Sequence, residues 1–203
     1  PSSSVSNLAK NEELKSLMLE ETPWVLQAQN ETERKKRVAL LFDVNKMQSE
    51  QRAALQKLQK MQLPDGAWPW FSGYKDDPYI TQYIVTGLAH LERLSATEYN
   101  TAGEVDAMLR SAMPYCSANM YETYTRLEKN KVEKSSYVPD NLILQYLYAA
   151  SYFDEKRFPL SKNEAEAKAY FIAQIKTYWT SYSLYQKGMI AIILNRNDQV
   201  KTA

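Results

Sequence analysis

The chain has 203 residues, 44% hydrophobic and 24% charged, a balance that marks a globular protein with one well-buried core and not a disordered segment. Lys and Arg number 25 against 24 Asp and Glu, a formal charge of +1, so no general basic field exists to hold nucleic acid or an anionic membrane. One cysteine (Cys116) and one histidine (His90) exclude an internal disulfide and a Cys/His zinc cluster, and they leave a triad hydrolase only His90 as its base.

From the N-terminus, the start at Pro1 followed by serines, with no initiator Met and no signal pattern, is expected of a piece cut from a larger protein. NLAKNEELKSLMLEE (Asn7 to Glu21) reads as an amphipathic helix stopped by Pro23. Asn30-x-x-Glu33 is placed to cap a second helix reaching Asp43. The basic run in ERKKRVALLF (Glu33 to Phe42) reads as its solvated face. Residues 1–44 are therefore expected to form an N-terminal helical segment of the same domain as residues 45–203.

Beyond it, Asn45-x-x-Gln48, Thr101-x-x-Glu104 and Ser161-x-x-Glu164 each fit a capping box, in which two side chains satisfy the orphan N–H groups of a helix start. Their similar separations point to a repeating unit of paired helices. In each pair the first helix is expected to be amphipathic, with Met47, Ala54, Leu58 and Met61 on one side of the first unit and Ala165, Ala169, Ile172 and Trp179 on one side of the third. The second helices, NLILQYLYAASYF (Asn141 to Phe153) and SLYQKGMIAIILN (Ser183 to Asn195), carry almost no charge and are expected to be buried on every side. In the middle unit Pro114 is expected to kink or split the first helix. ALLF and MIAIIL fall far short of the ~20 residues that span a bilayer and read as core. Strand signals are almost absent. The fold class is therefore all-α, two layers of αα-hairpins.

Between the two helices of the first unit lies QLPDGAWPWFSGYKDDPYIT (Gln62 to Thr81). Gln62, Gly66 and Trp68 spell Q-x-x-x-G-x-W: the Gln can bond free carbonyls at a helix end, the Gly permits a tight turn, and the indole can cover the Gln and close the corner. Trp68, Trp70 and Phe71 also suit an aromatic platform for a ligand, with Asp65, Asp76 and Asp77 as acid/base groups. Carboxylates so close to a helix start also serve as caps. Both readings of the corner stand at this point. His90 falls at the border of an Ile80, Ile84, Leu88, Leu91 stripe and reads as a packed or half-buried structural histidine.

The Q-x-x-x-G-x-W segment resembles the QW motif of α/α-toroid folds, which terpenoid cyclases, protein prenyltransferases and the thioester-containing domain of alpha-2-macroglobulins share. The cyclases' D-x-D-D acid motif is missing, since Asp76-Asp77 is only a pair, and one Cys and one His do not suit the zinc site of the prenyltransferases. MQLPDGAWPWF followed by YITQYIVTGLAHL closely resembles the bacterial macroglobulin pattern, with Ala67 where a second Gly is usual. SLYQKGMIAIILNRNDQVKTA is similar to that domain's last helix, with Asn197-Asp198 in place of Gly, and TPWVLQAQNETERKKRVALLFD is similar to a segment of Bacteroidetes-type members. The resemblance is weak between Thr101 and Lys134.

The resemblance implies a partial α/α toroid from a large secreted or lipid-anchored protease trap, periplasmic or at the cell surface. In that family cleavage of a bait region releases a Cys-x-Glu-Gln thioester segment that acylates the attacker. This chain has no such segment, and Cys116, in PYCSAN, reads as a small core or interface residue. The chain is then expected to be no enzyme, with no catalytic, cofactor-binding or metal-binding residues. Its partners would be target proteases, met through the full-length protein, and neighbouring domains of the same protein. The resemblance gives it no nucleic-acid partner and no membrane insertion of its own. If the parent bears a thioester, the place of His90, too early for the acyl-accepting histidine of complement-like members, implies a preference for amines over hydroxyls. The rival expectation is an α/α-toroid domain that binds or cleaves glycans through Trp68, Trp70 and Phe71.

Overall fold

A computed structural model describes residues 31–95 and 102–201. Their regular structure is helical throughout, so the protein is all-α as expected: α1 (Glu31–Met61), α2 (Pro78–Ser95), α3 (Ala102–Lys129), α4 (Asn141–Ala150), α5 (Lys162–Tyr178) and α6 (Leu184–Lys201), with short 3-10 turns at Lys134–Ser136 and Trp179–Ser181. The chain divides into two compact units between Gln56 and Lys57. The expected helix at Asn7–Glu21 and the caps at Asn30 and Thr101 lie outside the described residues.

In the first unit α1 runs without a break through Asn45, so Asn45-x-x-Gln48 is not a helix start. An Asx cap works only where backbone N–H groups lack an i−4 carbonyl, and in mid-helix those groups are already bonded. Lys35 and Lys36 are exposed, as a solvated face requires. Met47 and Ala54 are exposed too, while Leu55 is buried and Leu58 and Met61 are half-buried, so only the C-terminal end of the expected stripe forms.

The second unit is built of helix hairpins. α2 packs on α3 and on α4, α4 packs on α6, and α3 packs on α5, giving one row α2–α4–α6 and a second row α3–α5. α4 and α6 run parallel: Gln186 Nε2 donates to Asn141 Oδ1 at their N-terminal ends, and Arg196 Nη1 donates to Ser151 Oγ at the other. α2 and α3 are antiparallel, since Tyr115 donates to Asp76 just ahead of α2 while Arg157 ties Glu92, late in α2, to Asp106, early in α3.

α3 carries the longest buried stripe, with Val105, Met108, Leu109, Ala112, Met113, Cys116 and Met120 at three- and four-residue steps. Pro114 does not split it. The proline and Arg110, whose carbonyl loses its usual partner, both face solvent, where water satisfies the freed oxygen, and the stripe beneath holds the helix together. α4 has only ten residues, too few to be stable alone, but Ile143, Leu144, Tyr146, Leu147, Ala149 and Ala150 are all buried, so packing supplies what length does not. Asp140 caps it, its Oδ1 accepting from the Ile143 N–H at 2.9 Å.

The Ser161–Glu164 capping box is present in full at the start of α5. The stripe on this helix is Ala167, Phe171 and Ile175, displaced from the expected positions: Ala165, Ala169 and Trp179 are exposed. α6 is likewise one-sided. Met189, Ile190 and Ile193 are buried, but Leu184, Tyr185, Gly188, Ala191 and Ile192 face out, so it is not buried on every side. Absence of charge identified an apolar helix; it did not say how many neighbours the helix has.

The aromatic corner and the tyrosine face of α2 as candidate functional site

The chain leaves α1 at Met61 and enters α2 at Pro78, and the intervening segment separates aromatic residues by role. Gln62 Nε2 donates to the Gly66 carbonyl at 2.9 Å and to the Met108 carbonyl of α3 at 3.0 Å. Gly66 has φ +90°, and a Cβ there would lie 1.9 Å from the Ser111 carbonyl oxygen, so only glycine lets the turn press against α3. Trp68 has no exposed surface; its Nε1 donates to the Leu58 carbonyl at 2.8 Å, joining the Gln62 N–H, which donates to the same oxygen at 3.0 Å, so the indole is a second donor at the helix end. Gln, Gly and Trp thus do the jobs their types imply, and Trp68 is unavailable to any ligand. A platform of all three aromatic residues is therefore corrected to Trp70 and Phe71, which are exposed.

Thr81 completes the corner. Its Oγ1 donates to the Asp77 carbonyl at 2.8 Å and accepts from the Trp68 N–H at 2.9 Å. The carboxylates act locally as well. Asp65 Oδ1 accepts from Ala67 N–H, Asp77 Oδ1 caps α2 through Ile80 N–H while its Oδ2 holds Trp70 Nε1 at 3.0 Å, and Asp76 Oδ2 accepts the Tyr115 hydroxyl at 2.6 Å. Burial first, then the Asp76 carboxylate, raises the Tyr115 hydroxyl well above its ordinary value.

Past the corner the exposed rings continue. Trp70 lies nearly parallel to Tyr79, with centroids 6.3 Å apart and 17° between planes, and Phe71 meets Tyr74 edge-on. Along α2, Tyr79, Tyr83, Gly87 and His90 recur at helical steps and all face out, while Thr81, Gln82, Val85, Leu88 and Ala89 face in. His90 is thus exposed, not packed. It hydrogen-bonds the Tyr152 hydroxyl, which also meets the Tyr148 hydroxyl at 2.8 Å. Burial and the Tyr152 hydroxyl push Tyr148 up to about 12. The Arg196 guanidinium lies 3.8 Å from the Tyr152 ring centroid and that of Arg93 lies 5.3 Å from it.

Sequence reading found the corner but missed this second cluster. Its members come from three helices and their ends, and nothing in local spacing links His90 to Tyr152 or Arg196. No group of His, Cys, Asp and Glu among the described residues could hold a metal ion. Nor is any helix among them long and apolar enough to cross a membrane. Cys116 lies in the core, and burial pushes its thiol up to about 12. No family model, curated protein or solved structure matches the chain.

Proposed function

We propose that this chain is the toroid-domain portion of a bacterial alpha-2-macroglobulin-like, protease-trapping inhibitor. The corner carries the reading: Gln62, Gly66 and Trp68 sit as a QW motif would use them, with the glutamine amide joining the turn to the neighbouring hairpin and the indole closing the helix end. The rows α2–α4–α6 and α3–α5 are the layers from which a toroid would be assembled.

In this reading the domain has no catalytic residue. It buries the reactive thioester segment of the parent protein, or its vestige, against neighbouring domains until cleavage of the bait releases it. Phe71, Leu184 and Ile192, apolar and exposed, would be covered by those domains. The parent acts in the periplasm or at the cell surface, secreted or lipid-anchored, and its partners are target proteases. Its membrane attachment would not involve insertion of this segment.

The test uses the full-length parent. After incubation with a broad-specificity protease, the protease should elute with the cleaved parent in size-exclusion chromatography. Cleaved parent eluting free of protease would overturn the proposal. Labelled methylamine added in parallel, with the free thiol followed, distinguishes covalent from non-covalent trapping.

A further inference from the structure

The outward face of α2 leads from one kind of chemistry to another. Tyr79 and Tyr83 present rings at its start, Gly87 leaves a gap in which a Cβ would meet nothing within 4 Å, and His90 ends the row beside Tyr152, Arg93 and Arg196. From Tyr79 to His90 the axial rise is roughly 16 Å, enough for a short oligomer and more than a single small molecule needs.

The arginines set the charge of the ligand. Glu92 and Asp106 are the nearby carboxylates that pair with arginine, and Arg157 engages both, at 2.7 and 2.6 Å, while Arg110 also binds Asp106. Arg93 and Arg196 have no carboxylate partner among the described residues; both lie against the Tyr152 ring, and Arg196 also donates to Ser151 Oγ. A cation in the last turn of a helix is adequately explained by the helix dipole, and that covers Arg93. It does not explain why Arg196 of another helix meets the same ring. Two guanidiniums around one tyrosine, with donors still free, are placed to bind an anion.

We propose that the α2 face, with Tyr152, Arg93 and Arg196, binds an acidic oligosaccharide, with sugar rings on Tyr79 and Tyr83 and a carboxylate or sulfate at the two arginines. Rings that are exposed, hydroxyl-edged and spaced along one straight row suit the C–H faces and hydroxyls of a sugar chain. The aliphatic residues Leu184 and Ile192, which would suit an apolar partner, are on α6 and not in this row. The inference does not depend on protease trapping and stands or fails separately.

The test is calorimetric titration of the 203-residue chain with a short oligogalacturonate, a sulfated galactan oligosaccharide, the fully methyl-esterified oligogalacturonate and polyglutamate. Binding of either acidic sugar, weakened about tenfold or more by Arg93→Gln with Arg196→Gln and also by Tyr83→Ala, supports the proposal. Which acidic sugar binds separates carboxylate from sulfate. Thermal melting of the variants, in which Tyr83 and Arg93 are exposed and Arg196 half-buried, confirms that they fold. Equal binding of the neutral ester, binding of polyglutamate alone, no binding, or binding indifferent to these substitutions would overturn it.

Discussion

The indole nitrogen of Trp68 donates a 2.8 Å hydrogen bond to the carbonyl of Leu58, which also accepts the Gln62 N–H, so a side chain from the turn is pinned to the end of the helix that precedes it. Trp68 is fully buried, while Trp70, two residues on, is 56% exposed and bonded only to Asp77 at the surface. The two tryptophans should therefore respond very differently to substitution. Trp68→Ala should cost about 3–5 kcal/mol, and Trp68→Phe, which keeps most packing and loses only the indole's bond to a Leu58 carbonyl that still accepts the Gln62 N–H, about 1–2 kcal/mol. Trp70→Ala should cost about 1 kcal/mol or less. Urea denaturation of the three variants measures this order.

Two glycines with similar backbones separate strain from crowding. Gly66 and Gly73 have φ of +90° and +82°, but a Cβ at Gly66 would meet Ser111 carbonyl oxygen at 1.9 Å, whereas at Gly73 it would meet nothing within 4 Å. Gly73→Ala should cost about 1 kcal/mol, from the positive φ alone. Gly66→Ala should cost distinctly more, because the turn must move away from α3. Equal losses in midpoint denaturant concentration would contradict the close approach.

Much of this fold can be read from the sequence, and the omissions have physical causes. Ser161-x-x-Glu164 was legible because a helix does start there, and the box closes through 2.8 and 3.3 Å bonds. Asn45-x-x-Gln48 has the same letters, but α1 had already started upstream, so the motif had no orphan N–H groups to satisfy. A further box at Ser183-x-x-Gln186, with the Ser183 N–H donating to Gln186 Oε1 at 3.1 Å and Gln186 N–H to Ser183 Oγ at 3.4 Å, starts α6 at the head of the same uncharged run, where composition alone does not mark it. On α5 the apolar residues fall on two overlapping stripes, and contact with α3 selects Ala167, Phe171 and Ile175. The corner was legible because Q-x-x-x-G-x-W is local. The His90–Tyr152–Arg196 cluster was not, since it arises only when α2, α4 and α6 come together.

Acid should loosen the junction of α2, α3 and the loop before α5. Hydrogen bonds from Arg110, then Arg157, hold Asp106 below its ordinary value of 3.8. A carboxylate whose folded pKa is depressed stabilises the protein above the unfolded value, and that contribution is lost as pH falls through the lower folded value. Stability should therefore drop below about pH 4. Arg157→Gln should be less stable at neutral pH and lose less on acidification; because these groups are partly exposed, the effect should be about 1 kcal/mol or less. Chemical denaturation at pH 7 and at pH 3 checks the sign.

Cys116 should be chemically silent in the folded protein. It is 1% exposed, and burial pushes its thiol up to about 12, so neither access nor thiolate is available near neutral pH. Labelling by a thiol-reactive disulfide should be slow in buffer and rapid in denaturant. Fast stoichiometric labelling in buffer would place Cys116 outside the core.

The proposed function makes this all-α domain part of a protease trap, and a trap that encloses its target, rather than plugging it, leaves the target's active site open. The most direct measurement gives a protease, preincubated with the full-length parent, one small chromogenic peptide and one large protein substrate. Confinement should leave peptide cleavage nearly intact while cleavage of the protein falls steeply. Equal inhibition of both substrates, or of neither, would contradict the account.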